Sequence, residues 1–506
     1  MPPSPDKRMP LAGRMGSMAG PAALAFAGAM LLVLWARVPD LALDHDEVEH
    51  LHAAWLVSQG DLPYRDFGEN HNPVLWYALA PLLPATDSPR DAVRAGRAAM
   101  AACSLLSLVL AALLARRIGG PRAMLLAPLL LVVSTYWSVY SVQIRPDVPM
   151  TTLVLLGLVL GLPRRGKWCQ PPFSEKRRLA PFPAPFPLLA GLAIGAAAAV
   201  LLKAAVVGAT LFAGIVLQAV LTRNMRRQSL LAALALAVGF TIPLAALALM
   251  LQGAGILDGF WLWVVRLQGP YLMGQDGNGF AMGEVLRASF QRDTLAWAGL
   301  ALALVRFAMA PALDRAILLA IVAVVLGGTA ATRLPNYQYL VPAITLMAVL
   351  GADALVAIGE RFSTTPRRQA AAVAMLVATV VTFGARHALT VASLPDDEAQ
   401  VARMQQVLAL TSPDDTVIAS PPDHPIFRRD ALHLWFNNPD FHRALTSLAP
   451  SPPYDRYMGD PQRLQEHPPA VIVKAGSRWH PFYGIGTLAG RRFEAADDPE
   501  VLVRLR

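Results

Sequence analysis

The stretch "LALDHDEVEHLHAAWLVSQGDLPYRDFGENHNPVLWYALAPLL" (residues 41–83) crowds acids and histidines into a chain otherwise rich in Ala, Leu and Val. It follows directly on the first long apolar run, near 21–38. Of the 506 residues, 55% are hydrophobic and 16% charged, a balance that few soluble proteins of this length show. The polar island therefore reads as a loop between membrane-spanning helices.

About 20 helical residues cross the hydrocarbon core. By that measure helices are expected near 21–38, 93–115, 122–141, 147–162, 186–202, 204–221, 229–252, 294–310, 316–331, 337–358 and 369–390, about eleven spans. Basic residues collect in alternate loops, as they do on the cytoplasmic side of membrane proteins. These are the N-terminus, the turns at 116–122 and 223–227, the loop at 164–178 and the hinge at 361–368. The N-terminus is then cytoplasmic, its apolar run a retained signal anchor, and residues 39–92, 142–146, 253–293 and 332–336 are external. A bacterial inner (plasma) membrane is the expected location.

The net charge of +9 is spread over these small clusters, which excludes nucleic acid as a partner and leaves membrane lipids. Cys103 lies in an apolar segment and Cys169 in a basic loop, so no structural disulfide is expected. The proline-rich "PPFSEKRRLAPFPAPFP" is short enough to be one cytosolic linker.

From about residue 391 hydropathy falls and Pro, Asp and Arg rise. "DTVIAS", "AVIVKAG" and "VLVRLR" read as short strands, and 396–410 as a helix with Val401, Met404 and Leu408 on its core face. The expected fold class is an all-α polytopic membrane protein (1–390), with juxtamembrane helices in its first external loop, plus a small external α/β domain (391–506).

Within the opening stretch, Asp46, Glu49 and His50 lie one turn apart on a helix, presenting carboxylates toward a cavity, with Trp55 and Leu56 against the bilayer surface. "NPVLWYALAPLL" is a second amphipathic helix starting at a proline, too short to span comfortably.

These residues resemble the GT-C membrane glycosyltransferases, particularly glycosyltransferase family 39, which includes protein O-mannosyltransferases and lipid A aminoarabinose transferases. "DEVEHLHAAWLVSQGDLPYRDF" resembles the family's Asp-Glu motif and its G-x-x-P-Y-x-D-F-type continuation, and "HNPVLWYAL" its second juxtamembrane helix. "IRPDVPMTTLVLLGL" is similar to its Arg-Pro-Asp motif, "LLKAAVVG" to its Lys-containing helix end, and "TRLPNYQYLVPAITLMAVLGA" to its basic-x-Pro-x-Tyr helix start. The resemblance covers roughly 20–390. Asn72 stands where the family often has Lys before the proline.

The resemblance implies inverting transfer from a polyprenyl-phosphate-linked sugar to a hydroxyl of a lipid, glycan or protein acceptor on the external face. Asp46 then matches the catalytic general base, whose pKa partial burial can raise, with Glu47 shaping the site. Lys203 and Arg333 match the family's basic positions for the donor phosphate, and Arg145 and Arg266 are external cations of the same kind. Tyr337 and Tyr339 could donate to phosphate or sugar, and Glu69, His71 and Asp147 are candidate acceptor or sugar contacts. Other readings stay open: a solvated acidic loop, snorkelling for Arg266, interfacial anchoring for the tyrosines, and helix capping for Asp147.

His45, His50, His52 and His71 surround the acids, yet no tight zinc motif is present, so no metal or cofactor is assigned and a divalent ion is left open. The rival function is a transporter or flippase of lipid-linked sugars, against which stand the lack of an internal repeat and the gathering of charge at one face.

Overall fold

A computed structural model describes residues 11–84, 87–162, 185–222, 226–273, 282–332, 336–362, 365–419, 421–433, 435, 444, 461–473 and 493–505. Among the described residues, six helices are long and apolar enough to cross a membrane, including Pro89–Gly119, Ala204–Leu221, Arg226–Gly253, Leu313–Ala331 and the run from Tyr337 through Arg361. Four shorter apolar helices lie among them: Pro121–Val132, Asp147–Gly161, Pro185–Val200 and Thr294–Met309. Helices Leu11–Arg37 and Pro366–Ala392 pack side by side, Phe26 and Met30 approaching Gly384.

The span expected at 122–141 is broken in two. Helix Pro121–Val132 stops, and Thr135–Tyr140 starts afresh with the Ser134 hydroxyl accepting from the Trp137 N–H at 3.2 Å, an N-cap that hydropathy does not register. Helices Pro185–Val200 and Arg226–Gly253 meet backbone to backbone through glycine. A Cβ on Gly191 would lie 2.1 Å from the Leu236 carbonyl oxygen, and one on Gly239 2.1 Å from that of Leu188. Small residues permit this approach, which in an apolar solvent supplies the packing that hydrophobicity cannot.

The bundle has two chemically distinct ends. At one, Arg117 donates to the Val159 and Leu162 carbonyls and Arg122 pairs with Glu360 at 3.0 Å. Those arginines belong to one of the basic turns, 116–122, that the charge pattern puts on one side. Helix Asp147–Gly161 runs from there to the other end, where Asp147 opens its first turn beside the acidic loop.

The first loop forms helix His45–Ser58, then a turn, helix Val74–Leu79 and one 3₁₀ turn. In that turn Tyr64 takes φ +67°, uncommon for a bulky residue, and its buried hydroxyl donates to the His71 carbonyl at 2.6 Å. Asn72 explains its own departure from Lys: its amide donates to the carbonyls of Ala198 and Ala199, satisfying the end of helix Pro185–Val200.

The tail carries a five-stranded mixed sheet: β1 Thr416–Ile418, β2 Arg429–Asp430, β3 Val471–Val473, β4 Phe493–Ala495 and β5 Val501–Arg504, in the order β2-β1-β3-β5-β4. β1 runs parallel to β2 and β3, and β5 antiparallel to β3 and β4. The three strands expected from sequence are β1, β3 and β5; β2 and β4 are too short to read from alternation. Helix Glu398–Leu410 serves two cores at once. Val407 packs with the sheet, while Val401 and Met404 pack with the first loop.

Candidate functional site

Asp44 ends the extended lead-in and caps helix His45–Ser58. Its carboxylate accepts from the Asp46 N–H at 3.1 Å, and Glu47 reaches back to the Asp44 N–H at 3.2 Å. This capping box sets the first turn, so Asp46 emerges beside Asp44, and both face Arg145. The buried guanidinium of Arg145 donates to Asp46 through Nη1 and to Asp44 through Nη2, while its Nε donates to Gln143 at 2.9 Å. Asp46 keeps a partly exposed side chain.

Burial alone would raise the Asp46 carboxyl. The charge of Arg145 and the hydrogen bond from His45 outweigh it and hold the group well below the usual carboxylate range, opposite to the rise expected from partial burial. Asp44 goes the other way: burial, with the neighbouring charges of Asp46 and Glu47, pushes it up against the pull of Arg145.

Glu47 faces elsewhere. It is fully buried, takes Arg97 Nε and Nη2 at 2.9 and 2.7 Å, and accepts the Ile144 N–H at 3.2 Å. Arg97 also donates to the carbonyls of Val38 and Leu41. Glu47 thus ties the helix start to helix Pro89–Gly119 and to the loop that presents Arg145.

A chain of acids and imidazoles leads away from Asp46. His45 Nδ1 lies 3.5 Å from Asp46 and 3.2 Å from Glu49, and His71 Nδ1 lies 3.3 Å from Glu49 and 3.0 Å from Glu69. Burial, together with the charge of Glu49, pushes Glu69 up to about 8, and its Oε2 has no hydrogen-bond partner among the described residues. His50 accepts from the Trp76 indole at 3.1 Å, and burial drops it to about 3. Glu49, Glu69 and His71 are close enough to share a divalent cation, with hard carboxylate and imidazole donors that suit one.

Next to Arg145, Lys203 at the start of helix Ala204–Leu221 bonds Asp147 and stands 4.1 Å above the Tyr339 ring. The charges of Asp147, Asp46 and Arg145 all reach Tyr339, so these five side chains share one region. Tyr337 stacks on Tyr136 with centroids 5.3 Å apart, and Tyr140 lies under Arg145 at 5.9 Å. Arg266 closes a π-helical turn and is exposed, with no hydrogen bond or ion pair to this cluster among the described residues. Arg333 lies outside the described residues. Trp55, expected against the bilayer, instead stacks on His52 of its own helix at 5.6 Å and packs edge-on to Phe427 of the tail.

Sequence reasoning missed Asp44, Arg97 and Tyr140. The Asp-x-x-Glu spacing of Asp44 and Glu47 is a capping-box signal that could have found the first; the others are brought in only by tertiary structure.

A loop helix presenting an acid to basic helix ends, under a bundle of apolar helices, is the architecture of the GT-C glycosyltransferases, and this chain has that fold. It matches crystal structures of ArnT from Cupriavidus metallidurans over 95% of this chain and 97% of that one. The structure bound to undecaprenyl phosphate is 16% identical and the apo structure 15%, each with a TM-score of 0.63. An oligosaccharyltransferase from Archaeoglobus fulgidus, tethered with an acceptor peptide containing the NVT sequon, matches over 95% of this chain and 74% of that one, with a TM-score of 0.51 at 12% identity. No family model matches the sequence, and no curated protein sequence does.

Proposed function

We propose that this protein is an inverting glycosyltransferase of the external membrane face, moving a sugar from a polyprenyl-phosphate donor to an acceptor hydroxyl. One observation carries the reading: a partly exposed acid, Asp46, shares a single region with Arg145 and Lys203 at one end of a GT-C bundle. The structural neighbours support the donor class, since ArnT was captured with undecaprenyl phosphate.

In this reading the acceptor oxygen attacks the anomeric carbon from the side opposite the phosphate. The carbon–oxygen bond to phosphate breaks, and the lipid phosphate leaves with the electron pair. Asp46 takes the hydroxyl proton, and Lys203, Arg145 and, from the family resemblance, Arg333 stabilise the charge gathering on the phosphate. Arg145 links the two halves of the reaction. Bound to Asp46 it suppresses the acid's basicity; drawn toward an arriving phosphate it releases Asp46 to act as base. Glu47 holds the helix that bears the base, and Glu69, His71 and Asp147 are proposed as sugar or acceptor contacts. Eleven spans with a cytoplasmic N-terminus, an external tail and an inner-membrane location complete the proposal.

A transporter of lipid-linked sugars would call for charges along a path through the bundle. Asp46, Arg145, Asp147 and Lys203 meet at one end, which supports transfer. The test is to incubate the purified protein in nanodiscs with a panel of polyprenyl-phosphate sugars and lipid, glycan and peptide acceptors. A product with inverted anomeric configuration is expected, and its loss in Asp46→Asn; transport without any transferred sugar would sink the reading.

A further inference from the structure

The helix that carries Asp46 is gripped from another side by the tail. His52 follows Asp46 by six positions, which at 3.6 residues per turn places them about 120° apart around the helix. His52 is buried with both ring nitrogens engaged: Nδ1 lies 2.6 Å from the Ile426 carbonyl and Nε2 2.7 Å from Asp430. Asp430 also lies 3.0 Å from His424 Nε2, and His424 Nδ1 accepts the Ile426 N–H at 3.1 Å. The two imidazole rings are 4.0 Å apart, and Trp435 packs edge-on against both.

Two histidines and a carboxylate could also bind a transition metal. The hydrogen bonds favour another role. His424 Nδ1 is bare toward the Ile426 N–H, so the neutral ring carries its proton on Nε2, where a metal would have to displace it.

The tail also holds the loop on either side of this cluster. The Gln400 side chain accepts from the Leu43 N–H at 2.7 Å and donates to the Leu43 carbonyl at 3.1 Å, one residue before the Asp44 cap. The Gly68 N–H donates to the His433 carbonyl at 2.8 Å, one residue before Glu69.

We propose that tail residues 424–433, centred on Asp430, are a positioning device for the candidate base. Docked, they fix helix His45–Ser58 so that Asp46 lines up with the acceptor hydroxyl; released, they leave Asp46 intact but out of line. Asp430 touches no reacting atom and is a positioning residue. The inference rests on the glycosyl-transfer reading above.

The test uses the full chain in nanodiscs with the donor the wild type accepts. Asp430→Asn retains the shape but loses the charge, and kcat is expected to fall about 10- to 100-fold, the scale of a misplacement near 1 Å, with donor KM unchanged. Gln400→Ala is expected to lower kcat in the same direction. A second pair of variants, Asp61→Cys with Arg429→Cys, replaces an ion pair already joining loop to tail. With Cys103 and Cys169 changed to Ser, a short bis-maleimide across that pair is expected to restore most of the kcat lost in Asp430→Asn.

Unchanged kcat in both single variants, a loss confined to KM, or no recovery on cross-linking overturns the proposal. If the wild type transfers no sugar, the functional reading fails instead. Amide exchange in helix His45–Ser58 then decides the grip, and no acceleration in Asp430→Asn overturns it.

Discussion

Arg145 divides its guanidinium between Asp46 and Asp44, so the candidate base is ion-paired before any donor arrives. Asp46→Asn keeps the side-chain volume and the capping geometry of Asp44. Transfer is expected to fall at least about 100-fold while the unfolding temperature in detergent stays near wild type. Substantial turnover in this variant would remove Asp46 from the role of base.

Removing the cation tests the ion pair itself. Because Arg145 lowers the Asp46 pKa, activity that needs the free carboxylate persists to low pH in the wild type and fails only as pH falls through that depressed value. In Arg145→Met the acidic limb of kcat/KM is expected to move to higher pH, with a rise in donor KM. An unmoved limb would show that Arg145 does not tune Asp46.

Lys203 sits between Asp147 and the Tyr339 ring. Lys203→Ala is expected to weaken binding of undecaprenyl phosphate and to lower kcat by about 10- to 100-fold. Equilibrium binding of the radiolabelled lipid phosphate measures the first effect separately from the second. Unaltered binding would assign Lys203 to structure alone.

Stability should track different residues. Arg97→Ala leaves Glu47 as an unpaired buried charge, a loss of about 3–5 kcal/mol. Gly239→Ala forces a Cβ onto the Leu188 carbonyl and is expected to cost about 1–3 kcal/mol. Thermal unfolding in one detergent, run beside Asp46→Asn, checks both; wild-type stability in either would contradict the packing described.

Tail docking should weaken in acid. Burial and the nearby His52, against the pull of Asp430, drop His424 to about 4 from its ordinary 6.5. The docked ring therefore stays neutral where a released one takes a proton, so docking is fully favoured above pH 6.5 and loses strength as pH falls toward 4. Asp430, also held low, adds to the same trend at lower pH. Limited proteolysis between residues 393 and 435 across that range is expected to quicken with acid, and His424→Phe to flatten the dependence.

How much of this could be read in the sequence depends on distance along the chain. Asp46 was legible because its neighbours are local: the apolar run before it, helical spacing and the ordered downstream motifs. Glu47 reads in the sequence as shaping the site beside Asp46 because Arg97, its partner, lies 50 residues on. From sequence Trp55 reads as bilayer-facing because nothing nearby reveals that Phe427 packs against it. The clustered histidines had no explanation until folding supplied Trp76, Glu69 and Asp430. Ser134 broke an expected span because a single cap outweighs hydropathy averaged over a window. A fold shared at 16% identity has a related reason: many different apolar residues can fill a helix bundle.

The grip between His52 and Ile426 spans 374 residues of chain. At about 5–20 residues per second of synthesis, the helix bearing Asp46 emerges roughly 20 to 75 s before the strand that holds it. A nascent or prematurely terminated chain can therefore insert its helices and display the acid without its clamp. On the proposed glycosyl-transfer reading, the acid is then set for transfer only once the tail is complete.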